Sequence, residues 1–166
     1  MATRTILSAI TVAVILVGCT SLPLHPDGSL LTSQRCDGTG VCRVKVNRFQ
    51  CVHFVCYEVD PDETHLARGK HDIHIVWTLE AGDYFCKDAG YGVFLKDPGD
   101  NDGQFEDQRS TDKDTGDSTS ETDCKKHRHF HWKAKNTLPN KDYKYKIIFF
   151  DKNGIPHLID PWIYND

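Results

Sequence analysis

Motifs of several familiar enzyme classes are absent from this sequence of 166 residues. It has no Gly-x-Ser-x-Gly, no His-Glu-x-x-His and no glycine-rich loop that would cradle a phosphate. Carboxylates abound in one polar stretch, but a mobile polar segment does not fix the pKa that general acid–base catalysis requires. The sequence therefore predicts a protein that is not an enzyme.

Basic residues are fewer than acidic ones in this sequence. Lys and Arg number 20 against 24 Asp and Glu, so the formal net charge is −4. Proteins that bind nucleic acid present a basic face to the phosphates. We therefore expect no nucleic-acid partner.

Methionines and closely spaced cysteine pairs are lacking too. The single methionine is Met1, whereas a blue-copper site usually adds a Met to two His and one Cys. No two cysteines have the Cys-x-x-Cys spacing of zinc ribbons and thioredoxin-like motifs. Blue copper is excluded, and both Cys-x-x-Cys types of site are disfavoured.

Long apolar runs are also missing. The run Ile6–Val17 is shorter than the ~20 residues that span a bilayer. With Arg4 in front of it, the run is typical of the apolar region of a secretory signal.

The run ends in Leu16-Val17-Gly18-Cys19, which resembles the lipobox of bacterial lipoproteins. The resemblance implies a signal peptide over 1–18, cleavage before Cys19 and lipidation of Cys19, for example by palmitate. Several acyl chains anchor a protein stably. In that family neutral residues such as Thr20 and Ser21 imply the outer membrane, facing the periplasm. The alternatives are an ordinary signal peptide cut elsewhere or an uncleaved anchor.

Residues 19–34 mix Ser, Pro, Gly and Leu without periodicity and are predicted to be a flexible tether. Residues 35–166 are then long enough for one domain with a hydrophobic core. Within it, residues 96–123 contain almost no apolar side chains, and we expect a flexible acidic loop there.

Disulfides are predicted because six of the seven cysteines remain after Cys19, an even number in an oxidising compartment. Cys86 and Cys124 flank the acidic loop, and a bond between them would tie its base. The remaining four are Cys36, Cys42, Cys51 and Cys56.

Two pairings of those four cysteines stay open. A hairpin turning at 48–50 would place Cys42 opposite Cys56 and leave Cys36 to bond Cys51. Local closure would instead join Cys36 to Cys42 and Cys51 to Cys56. Because five residues of straight strand span ~16 Å, the second pairing needs a bend between Cys51 and Cys56.

Alternating apolar and polar residues predict short strands separated by turns. The strands are expected at 41–47, 51–59, 71–79, 84–86, 91–95, 125–135, 143–150 and 155–159. Asn153-Gly154 is a strong hairpin signal. About eight strands and no helical period predict an all-β fold, a single antiparallel β-sandwich.

Two segments carry a resemblance to known domains. Val59-Asp60-Pro61-Asp62, with the strand up to Trp77, and the closing Tyr143–Ile163 resemble small secreted bacterial β-sandwich domains of immunoglobulin-like or cupredoxin-like shape. That group has no assigned activity. The closing block also resembles the glycogen-binding modules of branching enzymes, which implies a carbohydrate-binding module as a further alternative.

Three histidines alternate along one predicted strand. His127, His129 and His131 would share a face, with neighbours about 6.5–7 Å apart. Imidazoles so arranged could hold zinc or copper if another strand supplied a ligand, for which His71, His74 and His157 are candidates. Otherwise the three form an exposed polar face with no cofactor.

These patterns favour a non-catalytic envelope lipoprotein. We expect attachment to the membrane through the N-terminal lipid and an unknown protein partner. A periplasmic metal-binding protein centred on the three histidines is the alternative.

Overall fold

The computed structural model describes residues 32–51, 55–86, 89–97, 102–111 and 127–165, without the side chains of Trp162, Tyr164 and Asn165. All of them belong to one compact unit, Leu31–Asp166. The predicted signal, Cys19 and the tether up to 31 lie outside the described residues, as does most of the acidic loop.

The described chain is all-β, with no α-helix in these ranges. Its strands are β1 Ser33–Cys36, β2 Cys42–Gln50, β3 Val55–Asp60, β4 Glu63–Leu66, β5 Ile73–Leu79, β6 Val93–Leu95, β7 Phe105–Thr111, β8 His129–Ala134, β9 Asp142–Phe150, β10 Pro156–Ile159 and β11 Trp162–Asn165. The prediction of an all-β fold is confirmed, and the described part alone holds more strands than the eight expected.

Five strands form one sheet in the order β3-β2-β5-β8-β7, and the other six form β1-β4-β11-β9-β10 with β6 also paired to β9. Most neighbours are antiparallel, but β2–β5, β1–β4 and β4–β11 are parallel. A purely antiparallel arrangement is therefore wrong. Sequence patterns reveal hairpins between consecutive strands, whereas parallel pairs join strands that are distant along the chain.

The core lies between the two sheets. Trp77 of β5 and Trp132 of β8 are fully buried, and their rings contact Tyr145 of β9 at centroid distances of 5.4 and 6.2 Å. The Trp77 indole Nε1 donates a hydrogen bond to the Tyr145 hydroxyl at 3.1 Å. Trp77, Trp132 and Tyr145 thus join the two sheets through one aromatic cluster.

The β2–β3 hairpin turns later than the sequence predicts. Phe49 lies opposite Cys56 and Gln50 opposite Val55, so β2 is still paired at 48–50 and the predicted turn there is wrong. Cys42 lies opposite Ile75 of β5 and is far from Cys56 in the ladder.

The disulfides follow from that register. Cys36 bonds Cys42 across a six-residue separation, with Cα atoms 5.6 Å apart. Cys51 bonds Cys56 with Cα atoms 5.8 Å apart, well below the ~16 Å that five residues of straight strand would span. Local closure is therefore the pairing found, and the crossed alternative is wrong. Cys86 is disulfide-bonded, but Cys124 lies outside the described residues, so Cys86–Cys124 stays a prediction.

The described part of the acidic loop corrects the prediction of a flexible loop over 96–123. Residues 105–111 form β7, an edge strand paired to β8. Phe105 is buried between Trp132 and Tyr143, at 4.9 Å from each ring centroid. One buried aromatic and the β8 ladder order this strand, because an edge strand needs few apolar residues of its own. A bulge at Asp107, whose φ is 58°, interrupts the ladder.

Three further short strands, β1, β4 and β11, were not predicted, and β11 follows the last predicted strand. β1 includes Ser33 and Gln34, which the sequence assigns to the tether, and β4 begins at Glu63, which lies between the predicted strands 51–59 and 71–79. Both are only four residues long and pair in parallel, so neither shows the alternation that marks a longer strand.

Candidate functional site

The three histidines predicted as metal ligands lie in β8 or just before it, but none of them is exposed. His131 has no exposed surface, and His127 and His129 are buried as well. His127 Nδ1 lies 3.0 Å from Ser110 Oγ of β7, and His129 Nδ1 lies 2.9 Å from Thr78 Oγ1 of β5. The expectation of an exposed polar face is wrong, because these rings fill the spaces between β8 and its neighbours.

Both ring nitrogens of His131 make hydrogen bonds. Its Nδ1 lies 3.2 Å from the Asp107 carbonyl oxygen, which can only accept, so Nδ1 carries the proton. Its Nε2 then accepts the Nδ1–H of His74, at 2.9 Å. Burial, with the nearby Arg109 and His74 charges, lowers the pKa of His131 to about 4. This imidazole is therefore neutral at pH 7.

The histidines do not converge on a common point. His131 pairs with His74, His71 lies 3.1 Å from the Lys135 carbonyl, and His157 packs on Tyr57 of β3. Within the described ranges, no three His, Cys, Asp or Glu side chains are placed to hold one metal ion. Zinc or copper at His127, His129 and His131 stays a prediction, and it requires these side chains to leave their present hydrogen bonds.

A cluster of polar side chains at one end of the domain was not predicted. The Asp83 cluster comprises Arg48, Tyr57, Asp83, Asp151 and His157. Asp83 is 1% exposed and accepts hydrogen bonds from Arg48 Nη2 at 2.6 Å and from the Lys152 backbone N–H at 3.0 Å. The bond to Asp83 raises the pKa of Arg48. This ion pair therefore ties the β2–β3 hairpin to the β9–β10 turn.

Aromatic contacts complete the Asp83 cluster. Tyr57 packs against His157 and Phe149, at centroid distances of 4.5 and 4.9 Å. His157 Nε2 lies 3.6 Å from Asp151 Oδ2, beyond hydrogen-bond distance. Arg48 Nε, Asp83 Oδ2 and His157 Nε2 are buried without a hydrogen bond. The cluster joins edge strands β3 and β10, which belong to different sheets.

Exposed apolar side chains occur in the elements that carry this cluster. Of the five large hydrophobic residues that are exposed in the described chain, four lie in β2, β3 and β10 or the turn before β10, which also contribute members of the Asp83 cluster. We call these four the apolar end: Phe49, Val55, Ile155 and Leu158, with exposures of 40, 43, 53 and 59%. The fifth, Leu138, follows Asn136, which binds the Ala67 and Lys70 carbonyls at the other end.

A surface cavity of about 270 Å³ lies at the loop closed by Cys36–Cys42. Its only carboxylate, Asp37, accepts bonds from the Thr39 N–H and hydroxyl. The Thr39 hydroxyl bond is the largest cause lowering the pKa of Asp37. No histidine or free thiol lines the cavity, so its described lining offers no acid–base pair.

Comparisons with protein families, curated proteins and solved structures find no match for this chain. In the described residues no helix is long and apolar enough to cross a membrane.

Acidification should destabilise the fold through His131. Its pKa is about 4 in the folded protein and about 6.5 when unfolded, so below pH 6.5 the unfolded chain binds the proton first. The free energy of unfolding should fall by about 3 kcal/mol between pH 6.5 and 4 from this group, since each pKa unit is worth ~1.4 kcal/mol. Urea unfolding gives the free energy of unfolding at each pH. Its slope against pH should be shallower for His131→Gln than for the wild type, whereas the exposed control His71→Gln should keep the slope of the wild type. Equal slopes for wild type and His131→Gln would contradict this assignment.

Removing one member of the buried ion pair should be costly. Asp83→Asn leaves Arg48 partly buried beside a neutral amide, and we expect a loss of about 3 kcal/mol of unfolding free energy. The matched control is Asp160→Asn, which breaks the Lys96–Asp160 pair, whose members are 39 and 43% exposed, and should cost less than about 1 kcal/mol. Urea unfolding measures both, and equal costs would show that Asp83 does not tie the hairpins together.

Proposed function

We propose that this chain is a non-catalytic lipoprotein of a bacterial cell envelope that binds a partner protein through its apolar end. Its domain is a β-sandwich of immunoglobulin-like or cupredoxin-like shape. Cys19, which lies outside the described residues, carries the lipid and anchors the protein at the outer membrane, facing the periplasm.

The disulfides support the compartment. Two are described in full, Cys36–Cys42 and Cys51–Cys56, and Cys86 is bonded as well. Such bonds persist outside reducing compartments. A disulfide-bonded, β-rich domain is consistent with an extracytoplasmic protein.

The apolar end is the observation that supports partner binding. A folded domain normally buries large aliphatic side chains, and clustered exposed ones mark interaction surfaces. Ile155 and Leu158 are more than half exposed, and the β9–β10 turn beneath them is held by Asp83. A surface that is both apolar and rigid loses little conformational entropy on binding a protein.

Other ligands are less well supported. Trp77 and Trp132 are fully buried, so they offer no ring face to a sugar. Each of the three predicted metal-binding histidines already contacts a hydroxyl or another imidazole. Carbohydrate and metal binding therefore rank below a protein partner.

Anchoring is tested by replacing the predicted lipidation site. Cys19→Ser should move the protein from the membrane fraction to the soluble periplasmic fraction after cell lysis, and the mass of the wild type should include its acyl chains. Ser21→Ala is the control and should remain in the membrane fraction. A wild type without acyl mass would refute the lipoprotein assignment.

Partner binding is tested in intact envelopes. A photo-crosslinking residue at Ile155 should give a discrete adduct, because this side chain would lie at the interface. The same residue at Leu138, the exposed apolar side chain at the opposite end, is the control and should give none. Mass spectrometry identifies the adduct, and the proposal fails if Ile155 captures nothing or if both positions capture the same proteins.

A further inference from the structure

The outer surface of the six-stranded sheet carries a row of apolar side chains. Along β9 fully buried residues alternate with half-buried ones, since Ile147 and Phe149 have no exposed surface whereas Ile148 and Phe150 do. Ile147 and Phe149 belong to the core between the sheets. Ile148 and Phe150 therefore lie on the side of the sheet that faces away from the core.

β10 extends this surface. Leu158 lies opposite Ile148, and Pro156 lies opposite Phe150. Residues directly opposite each other in an antiparallel pair share a face of the sheet. Both β10 residues are exposed, Leu158 to 59%. The apolar surface is therefore continuous from β9 to β10.

Two tyrosines complete the apolar surface. Tyr84 forms an isolated bridge with Phe150, and their rings stack at a centroid distance of 5.2 Å. The Tyr91 ring stacks on Phe150 at 3.8 Å. Tyrosine is enriched at protein interfaces because its ring is apolar and its hydroxyl can hydrogen-bond. We call these six residues the aromatic face: Tyr84, Tyr91, Ile148, Phe150, Pro156 and Leu158.

Positive charge borders the aromatic face. Lys146 lies on the same side of β9 as Ile148, two residues before it. Lys152 follows Phe150 by two residues and is exposed. Lysines therefore stand at both ends of the part of this face that β9 provides.

The carboxylates that the structure describes around this face are buried, ion-paired or distant. Asp83 and Asp151, which are sequence neighbours of its residues, are buried in the Asp83 cluster. Asp160 pairs with Lys96 at 2.9 Å. Asp142 shares the outer side of β9 but lies at the far end of the strand. The charge beside the apolar side chains is therefore positive, although the whole chain carries −4.

We infer that the segment of the partner that docks on the aromatic face is an acidic stretch of polypeptide that also carries apolar side chains. Its apolar side chains cover Leu158 and the stacked Phe150 and Tyr91 rings, and its carboxylates lie beside Lys146 and Lys152. The inference rests on the proposed function, since Leu158 belongs to the apolar end, and it names the chemistry of the partner. Complementary charge of this kind selects the partner and speeds its association.

A polypeptide fits this face better than an anionic lipid surface does. Interfacial binding to a membrane buries apolar side chains about 5–10 Å into the lipid. The aromatic rings of Tyr84, Tyr91 and Phe150 are half-buried and packed on one another, so they offer a surface for contact and do not protrude. Only Pro156 and Leu158 of this face are exposed.

Two charges of opposite sign at one position test the inference. Leu158→Asp and Leu158→Lys both replace the exposed leucine with a charged residue, so a difference between them reports the sign of the partner's charge. The readout is the adduct formed in intact envelopes by the photo-crosslinking residue at Ile155, which adjoins Pro156. The adduct should be about tenfold weaker with Leu158→Asp than with Leu158→Lys. Equal adducts from two variants with similar melting temperatures would overturn the inference.

The cross-linked segment itself gives a second test. Mass spectrometry of the digested Ile155 adduct should identify a partner peptide with more Asp and Glu than Lys and Arg. A neutral or basic peptide, or a peptide from a second copy of this chain, overturns the inference.

Lipid binding is measured separately. The Cys19→Ser protein, which lacks the predicted lipid, should stay in the supernatant when phosphatidylglycerol vesicles are sedimented. Sedimentation with the vesicles that Leu158→Asp abolishes and Leu158→Lys keeps would assign the aromatic face to lipid and overturn the inference.

These outcomes separate the inference from the proposed function. An Ile155 adduct that is equally strong in both Leu158 variants, or that contains a neutral or basic segment, refutes the acidic partner and leaves the apolar end as a binding surface. No Ile155 adduct in any variant refutes both.

Discussion

The rest of the structure depends on the contact between Trp77 and Tyr145, because this contact joins the two sheets. Trp77 lies in β5, at the centre of the five-stranded sheet, and Tyr145 lies in β9, which pairs with β6, β10 and β11. Both side chains are fully buried, and the indole donates to the hydroxyl at 3.1 Å. Burial raises the pKa of Tyr145, so the hydroxyl stays protonated and the hydrogen bond links two neutral groups. The indole nitrogen of Trp77 and the hydroxyl of Tyr145 thereby satisfy each other inside the core.

The two ends of this core differ. At one end Asn136 binds the Ala67 and Lys70 carbonyls, and Leu138 is the one exposed large apolar side chain there among the residues that the structure describes. At the other end the Asp83 cluster holds β3 against β10, and four exposed apolar side chains lie in β2, β3, β10 and the turn before β10. A buried ion pair costs desolvation energy that an apolar contact avoids. Its use here gives the β9–β10 turn a fixed position.

Most strands were predictable from alternation, because side chains on one face of β2, β5, β8 and β9 enter the core. The parallel pairs and the strands β1, β4, β7 and β11 were not predicted, since their ordering depends on neighbours from distant parts of the chain. Phe105 is the example: one aromatic in a polar stretch has no local signal, yet it packs on Trp132 and Tyr143. The Asp83 cluster was missed for the same reason, as Arg48 and Asp83 are 35 residues apart.

The alternating histidines show that one sequence pattern fits both a metal site and a row of buried imidazoles that are hydrogen-bonded to neighbouring strands. Alternation predicted correctly that His129 and His131 share one face of β8, opposite Phe130 and Trp132. It could not show that Thr78 and His74 of β5 lie beside them. Once a neighbouring strand supplies a partner, each imidazole gains a hydrogen bond without a metal, and the burial of His131 follows. A strand of alternating histidines therefore indicates a metal site only when its neighbours offer ligands that converge, and here the neighbours contact each histidine separately.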